Sequence, residues 1–192
     1  MSLEKSITEF KTQYPFLTEE DISSFLDICK LQALQSGQQF MDLHEKSWKM
    51  AFMLDGLLRG YYINPDGIDM TIMFRTELEV VASWETILLN KPSNHIIEAI
   101  DPSQLLVFSH KDLKNLMDQN PKIEKVYNAM LHQLLADSLE HIQSYINEKP
   151  ENRYKKLLES DRPIHRIPQK YIASFLGITP ESFSRLKKRM LD

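Results

Sequence analysis

The sequence predicts an α+β protein: an antiparallel β-sandwich or barrel with flanking helices, one long helix, and a C-terminal helix-turn-helix. Three observations carry that reading. Between about Leu31 and Phe108, four of the five glycines (37, 56, 60 and 67) punctuate short runs rich in Phe, Tyr, Ile, Leu, Val and Met. From Ile123 the chain has neither Gly nor Pro until Pro150, and its apolar residues keep a 3-4 spacing. The last two dozen residues hold two short helical patterns separated by Gly177.

In chain order, Leu3, Ile7 and Phe10 mark an amphipathic helix over 3–13. Thr18 followed by Glu19, Glu20 and Asp21 is a capped, acidic helix start, and that helix runs through Phe25, Leu26 and Ile28. Lys49 to Ile63 reads as two strands around Gly56. Asn64-Pro-Asp-Gly67 is a turn, and Ile68 to Phe74 alternates as the returning strand. Further strands are expected at 78–83, 95–100 and 104–109. A short helix begins at His110 and is halted by Pro121.

The long helix carries Ile123, Val126, Tyr127, Met130, Leu131, Leu134, Leu135, Leu139, Ile142 and Ile146 on one broad stripe. A stripe that wide serves two neighbours, the β-domain and a second helix, and about 25 residues rise roughly 37 Å, enough for a dimer seam. Asn147 to Asn152 is polar and contains Pro150, which places the domain boundary there. A further short helix starts at Arg153, and Pro163 to Pro168 is expected to be extended.

The end of the chain is the most informative part. A helix over 169–176 buries Ile172, Phe175 and Leu176; Gly177 supplies a turn needing positive φ, and Ala173 is small enough for a close helix crossing. Thr179 is an N-cap, Pro180 a first-turn proline and Glu181 an acidic first-turn residue. Phe183, Leu186 and Met190 then point inward, leaving Ser182, Ser184, Arg185, Lys188 and Arg189 outward. Residues 162–192 carry net charge +5 and the remaining chain −9. A basic tip on an acidic body meets phosphate at one end only, which favours DNA as the partner.

Other chemistry is not visible. The single cysteine, Cys29, forms no internal disulfide and suits a reducing cytoplasm. No run approaches the roughly 20 apolar residues of a membrane helix, and residues 1–30 are charged throughout. The six histidines lack HExxH or clustered metal spacing, and no G-x-S-x-G, P-loop or G-x-G-x-x-G is present. No catalytic residue, metal or cofactor is expected.

Two stretches, Ile167 through Arg185 and Asn90 through Ile100 continuing over Leu105 to Leu113, together with the order of elements, resemble the Crp/Fnr superfamily of bacterial transcription regulators. The resemblance spans nearly the whole chain. It implies a β-roll (a double-stranded β-helix like the cyclic-nucleotide-binding domain) over 1–118, a dimerisation helix over 119–147 and a winged helix-turn-helix over 148–192. It further implies a cytoplasmic homodimer paired through residues 123–146, acting on double-stranded DNA, with RNA polymerase as a further candidate partner and no membrane association. Glu181, Ser182 and Arg185 fall on the family's base-reading positions. Arg185 is placed to donate two bonds to guanine and Glu181 to accept from a cytosine amino group. Lys170, Ser174, Thr179, Lys187 and Lys188 are placed for phosphate. The wing is expected to be short or missing.

The effector site departs from the family. Nucleotide-binding members carry a Gly-Glu pair and, about nine residues later, an arginine beside Ser or Thr that neutralises the cyclic phosphate. Here Trp84 or Glu85 takes the glutamate position, no glycine precedes it, and Ser93, followed by Asn94, stands in place of the arginine. A phosphate buried there lacks its counter-charge, so cyclic AMP is not expected. A roll interior lined by Trp84, Ile87 and Ser93 and closed by Met130, Leu134 and Ser138 leaves two possibilities, a smaller or more apolar effector or a filled roll. The rival functions are a regulator gated by a cyclic nucleotide and a protein-binding β-roll without DNA affinity.

Overall fold

The computed structural model describes residues 3–160 and 162–191, the Leu191 side chain excepted. Helices α1 (Leu3–Gln13) and α2 (Glu19–Asp27) precede strands β1 (Lys30–Leu34), β2 (Gln39–Met41), β3 (Lys49–Ile63), β4 (Asp69–Arg75) and β5 (Val80–Ala82). Helix α3 (Trp84–Leu89), strand β6 (Ile96–Ser109), helix α4 (His110–Gln119) and the long α5 (Pro121–Asn147) follow. Then come α6 (Pro150–Glu159), a 3-10 turn (Ile164–Arg166), α7 (Gln169–Phe175) and α8 (Pro180–Leu191). The strands form one antiparallel six-stranded sheet in the order β1-β6-β3-β4, with β2 paired to β6 and β5 to β3.

Gly56 does not end a strand, as its sequence context suggests; it bends one. The residue adopts φ +112, and a Cβ there would collide with Ser103, whose Oγ instead accepts from the Leu57 N–H at 3.2 Å. The β3–β6 register shifts across Met53 to Leu58. This bulge inverts the parity of the strand. Before it, Ala51 and Met53 face the roll interior while Met50, Phe52 and Leu54 face the helices; after it, Leu58 points inward and Leu57 outward. The expected strands at 95–100 and 104–109 likewise join into the single β6.

Three apolar clusters result. The roll interior packs Leu34, Phe40, Met41, Met53, Leu58 and Ile97, all 1% exposed or less. The outer face of β3 and β6 packs on α1, α2 and the start of α5 through Phe10, Ile22, Phe25, Ile123 and Val126. A third cluster spans the sheet and the C-terminal helices, joining Leu57, Phe74 and Ile100 to Tyr154, Leu157, Ile172, Phe183 and Leu186.

Several local expectations hold. Thr18 and Asp21 cap α2 reciprocally, and Asp21 also accepts from Asn120 Nδ2 at 2.6 Å and Lys122 Nζ at 2.9 Å, tying α2 to the α4–α5 junction. On α5, Ile123 and Val126 are buried, but Leu135, Leu139, Ile142 and Ile146 are 59%, 51%, 54% and 75% exposed. The stripe therefore divides, one end serving the roll and the other facing outward. Segment 163–168 is not extended as expected: prolines at both ends bracket a 3-10 turn closed by Arg166 N donating to Pro163 O at 2.9 Å. Helix α3 has no periodic pattern to mark it in the sequence; Ser83 caps it by accepting from the Thr86 N–H.

Candidate nucleic-acid interface and effector pocket

Local chemistry sets the helix-turn-helix. Gly177 adopts φ +69, and a Cβ there would run into the Tyr145 hydroxyl of α5, so the turn needs glycine for both conformation and space. Ala173 is fully buried at the crossing, and its carbonyl accepts from Ile178 N at 3.0 Å. Thr179 Oγ1 accepts from the Ser182 N–H at 3.2 Å, the expected cap of α8. Phe183 and Leu186 are buried, Phe183 edge-on to Tyr154 at 4.9 Å. The opposite face of α8 presents exposed Glu181, Ser184, Arg185 and Lys188, with Ser182 and Lys187 half-buried.

Arg185 Nη2 rests on Ser182 Oγ at 3.0 Å, so the expected base-reading pair lies together on the open face. The Glu181 carboxyl is held below its ordinary value by its own backbone N–H and then by Thr179. Thr179 and Lys170 are exposed, the Lys170 ammonium lying 4.7 Å from the Tyr171 ring centre. Arg189 is engaged by Glu151 at 2.6 Å.

Ser174 is turned away from this surface. Its Oγ accepts from Thr71 N at 2.8 Å and donates to Asp69 O at 3.0 Å, so its hydroxyl docks α7 on β4 instead of facing a phosphate. The docking surface that holds it was not legible in the sequence. Its centre is Arg59, 3% exposed, which donates to Glu98 at 2.6 Å and Asp69 at 2.7 Å. The guanidinium lies between two rings, Tyr61 at 4.0 Å and Tyr171 of α7 at 3.5 Å. Arg166 donates to Asp101 at 2.6 Å and Arg162 to Phe74 O at 2.7 Å. The one local signal is an arginine set in the apolar run of β3.

The expected effector residues separate into two groups and one outlier. Glu85, Ser93 and Asn94 gather around His95, which is 4% exposed. Its Nδ1 lies 3.2 Å from Glu85 Oε1 and 3.4 Å from both Ser93 Oγ and Asn94 Oδ1. The His95 contact holds the Glu85 carboxyl below its usual range. His95 Nε2 is buried without a hydrogen-bond partner among the described residues. Ser93 Oγ also donates to His95 O at 2.7 Å, so this hydroxyl is spent within the loop.

Trp84, Met130 and Leu134 are instead brought together outside the roll, along a cavity of about 160 Å³ between α5 and the β4–β5 turn. Ser138 points away on the exposed side of α5, donating to Leu134 O. The roll interior itself is occupied by the chain's own side chains, Leu34, Phe40, Met41, Met53, Leu58 and Ile97 among them, the second of the two possibilities. A second space of about 70 Å³, walled by apolar residues including Phe10, Phe25 and Leu106, lies under α1 and α2.

Among the described residues no group of three His, Cys, Asp or Glu is arranged to hold a metal, and no helix is long and apolar enough to cross a membrane. No protein-family model and no curated protein matches the sequence. Solved structures do share its fold. The c-di-GMP responsive global regulator CLP of Xanthomonas campestris is 15% identical, with a TM-score of 0.74 over 91% of this chain and 92% of that one. FixK2 of Bradyrhizobium japonicum is 17% identical, with a TM-score of 0.72 over 85% of this chain and 84% of that one. A transcriptional regulator of the crp/fnr family from Eubacterium rectale is 17% identical, with a TM-score of 0.70 over 93% and 85% of the respective chains. The fold is therefore the one these solved structures share, here a β-roll joined through a long helix to a helix-turn-helix.

Proposed function

We infer that the chain is a cytoplasmic, sequence-specific DNA-binding regulator of transcription that acts as a homodimer and has no catalytic activity. The observation that carries this reading is the two-faced α8. Phe183 and Leu186 anchor it in the shared core, while Arg185, Glu181, Ser182 and Lys188 stand on the open side beyond a capped N-terminus. Helix N-terminal residues reach base edges in a major groove, and surrounding lysines set the register on phosphate. The exposed Leu135, Leu139, Ile142 and Ile146 on α5 supply a seam for a second copy, placing two such helices on successive grooves about 10 bp apart. The Crp/Fnr-like fold supports the same reading.

The roll chemistry argues against cyclic nucleotides as the trigger. Ser93 replaces the cradle arginine, its hydroxyl is committed to His95, and the interior is filled. Calorimetry with cyclic AMP and cyclic GMP is expected to give no heat at about millimolar ligand.

The direct test selects bound sequences from a random duplex pool and then compares variants by gel shift. Arg185→Ala is expected to lose about 1–3 kcal/mol at one base pair per half-site, with discrimination relaxed there. Lys188→Ala is expected to weaken all sequences alike and to lower the salt slope by about 1. Equal loss on every sequence for Arg185→Ala overturns its base-reading role, and weak, salt-independent binding to all duplexes overturns the regulator.

A further inference from the structure

The 160 Å³ cavity beside α5 has a chemically mixed lining. Leu78, Trp84, Met130 and Leu134 supply the apolar part of its lining, and Arg75, Glu79 and Asp137 supply charges of both signs. Arg75 ends β4 with its side chain only 13% exposed. It has one long hydrogen bond, Nη1 to Phe74 O at 3.3 Å, and lies 3.7 Å from Glu79 Oε1. Glu79 is already engaged elsewhere, accepting from Thr76 N at 2.6 Å and from Arg162 Nη2 at 3.1 Å. Among the described residues the other Arg75 nitrogens have no hydrogen bond, and burial pulls the guanidinium below its usual range. It nonetheless stays charged, as arginine does in proteins.

A nearly buried guanidinium with spare donors on a cavity wall calls for a planar anion, and a carboxylate matches its fork. A simple anion would also face two carboxylates, Glu79 beside Arg75 and the exposed Asp137 of α5, which accepts from Gln133 Nε2 at 2.7 Å. A simple cation would face Arg75. A ligand with both signs satisfies both kinds of charge at once. A cavity near 150 Å³ holds a benzene-sized molecule, so about six to ten non-hydrogen atoms fit here.

We propose that this cavity binds a compact zwitterion of the α-amino-acid class, with its carboxylate on Arg75, its ammonium toward Asp137 and its side chain against Trp84 and Leu134. Occupancy also reaches the DNA-binding end, a step that rests on the regulator reading. Arg75 and Arg162 share Glu79, and Arg162 leads into the helix-turn-helix. A ligand carboxylate on Arg75 leaves Glu79 to Arg162 and tightens the docking of the C-terminal helices.

The test is calorimetry on the full chain, without DNA, using the standard α-amino acids at up to about 10 mM. The expected result is a Kd below about 1 mM for at least one of them, with its deaminated carboxylate and its decarboxylated amine each weaker by about tenfold or more. Arg75→Gln and Asp137→Asn are each expected to lose about tenfold. Leu134→Trp, which fills the cavity from α5 and leaves the charges in place, abolishes the heat while circular dichroism stays unchanged. No heat from any amino acid overturns the proposal, as does a deaminated analogue that binds equally well or an Arg75→Gln variant that keeps full affinity. Because no duplex enters the cell, failure of this site and failure of DNA binding are read separately.

Discussion

Replacing Tyr171 by Ala removes the α7 ring that covers the buried Arg59 guanidinium at 3.5 Å. A desolvated cation–π contact contributes about 2 kcal/mol. Stripping a half-covered aromatic ring also forfeits roughly 100 Å² of apolar burial, about 2.5 kcal/mol at 25 cal/mol per Å². Arg59 regains some hydration when uncovered and keeps its bonds to Glu98 and Asp69, which offsets part of the loss. The expected destabilisation is therefore about 3 kcal/mol, and in a chain of this size the melting temperature falls by roughly 10 °C. No hydrogen bond from the Tyr171 hydroxyl is found among the described residues, so Tyr171→Phe should stay within about 0.5 kcal/mol of the parent. The deciding assay is a urea-unfolding double-mutant cycle with Tyr171→Ala and Arg59→Met, where a coupling of about 1–2 kcal/mol is expected. Strict additivity of the two substitutions refutes the stack as the link between β-roll and helix-turn-helix.

Two further outcomes follow from α5. The exposed Leu135, Leu139, Ile142 and Ile146 each bury about 1–2 kcal/mol of apolar surface in a paired helix, so Leu139→Glu combined with Ile142→Glu should weaken association by roughly a hundredfold or more. Sedimentation equilibrium showing the parent's mass for this variant contradicts the seam. His141 lies 5.0 Å from the Phe175 ring of α7 and 6.2 Å from Tyr145; burial, and then the Arg153 charge, hold its pKa below the usual value. The folded state thus prefers neutral His141. Its contribution is complete above the ordinary imidazole pKa of about 6.5 and is lost as pH falls below that, levelling once the folded form also protonates. Thermal melts from pH 8 to pH 5 should show the parent losing more than His141→Gln in that window, and parallel curves would refute the assignment.

The helix-turn-helix was legible because its constraints are local. Gly177, Thr179 and Pro180 each answer a backbone requirement within a few residues, and Phe183 and Leu186 repeat at helical spacing. The β-roll was legible as a texture but not in its connections. Gly56 looks like punctuation, and only its contact with Ser103, far away in sequence, turns it into a bend within one strand. The candidate effector residues are parted in space for a related reason. Trp84, Met130 and Leu134 do meet, but on the outer side of the sheet, while Ser93 is drawn into the His95 loop. Arg75 and Tyr171 carry no local signature and Arg59 only its place in an apolar run, since their meaning comes from which strand or helix lies opposite.

The inverted parity of β3 gives a single strand two audiences. Upstream of Gly56 its outer side chains answer to α1, α2 and the base of α5, and downstream they answer to the C-terminal helices through Leu57. The C-terminal head is for this reason not a detachable part. Grafted onto a foreign scaffold, residues 148–192 would lose Leu57, Phe74 and Ile100 from beneath Tyr154, Ile172 and Phe183. A hybrid regulator built at the polar hinge would need those three host positions transplanted along with the head.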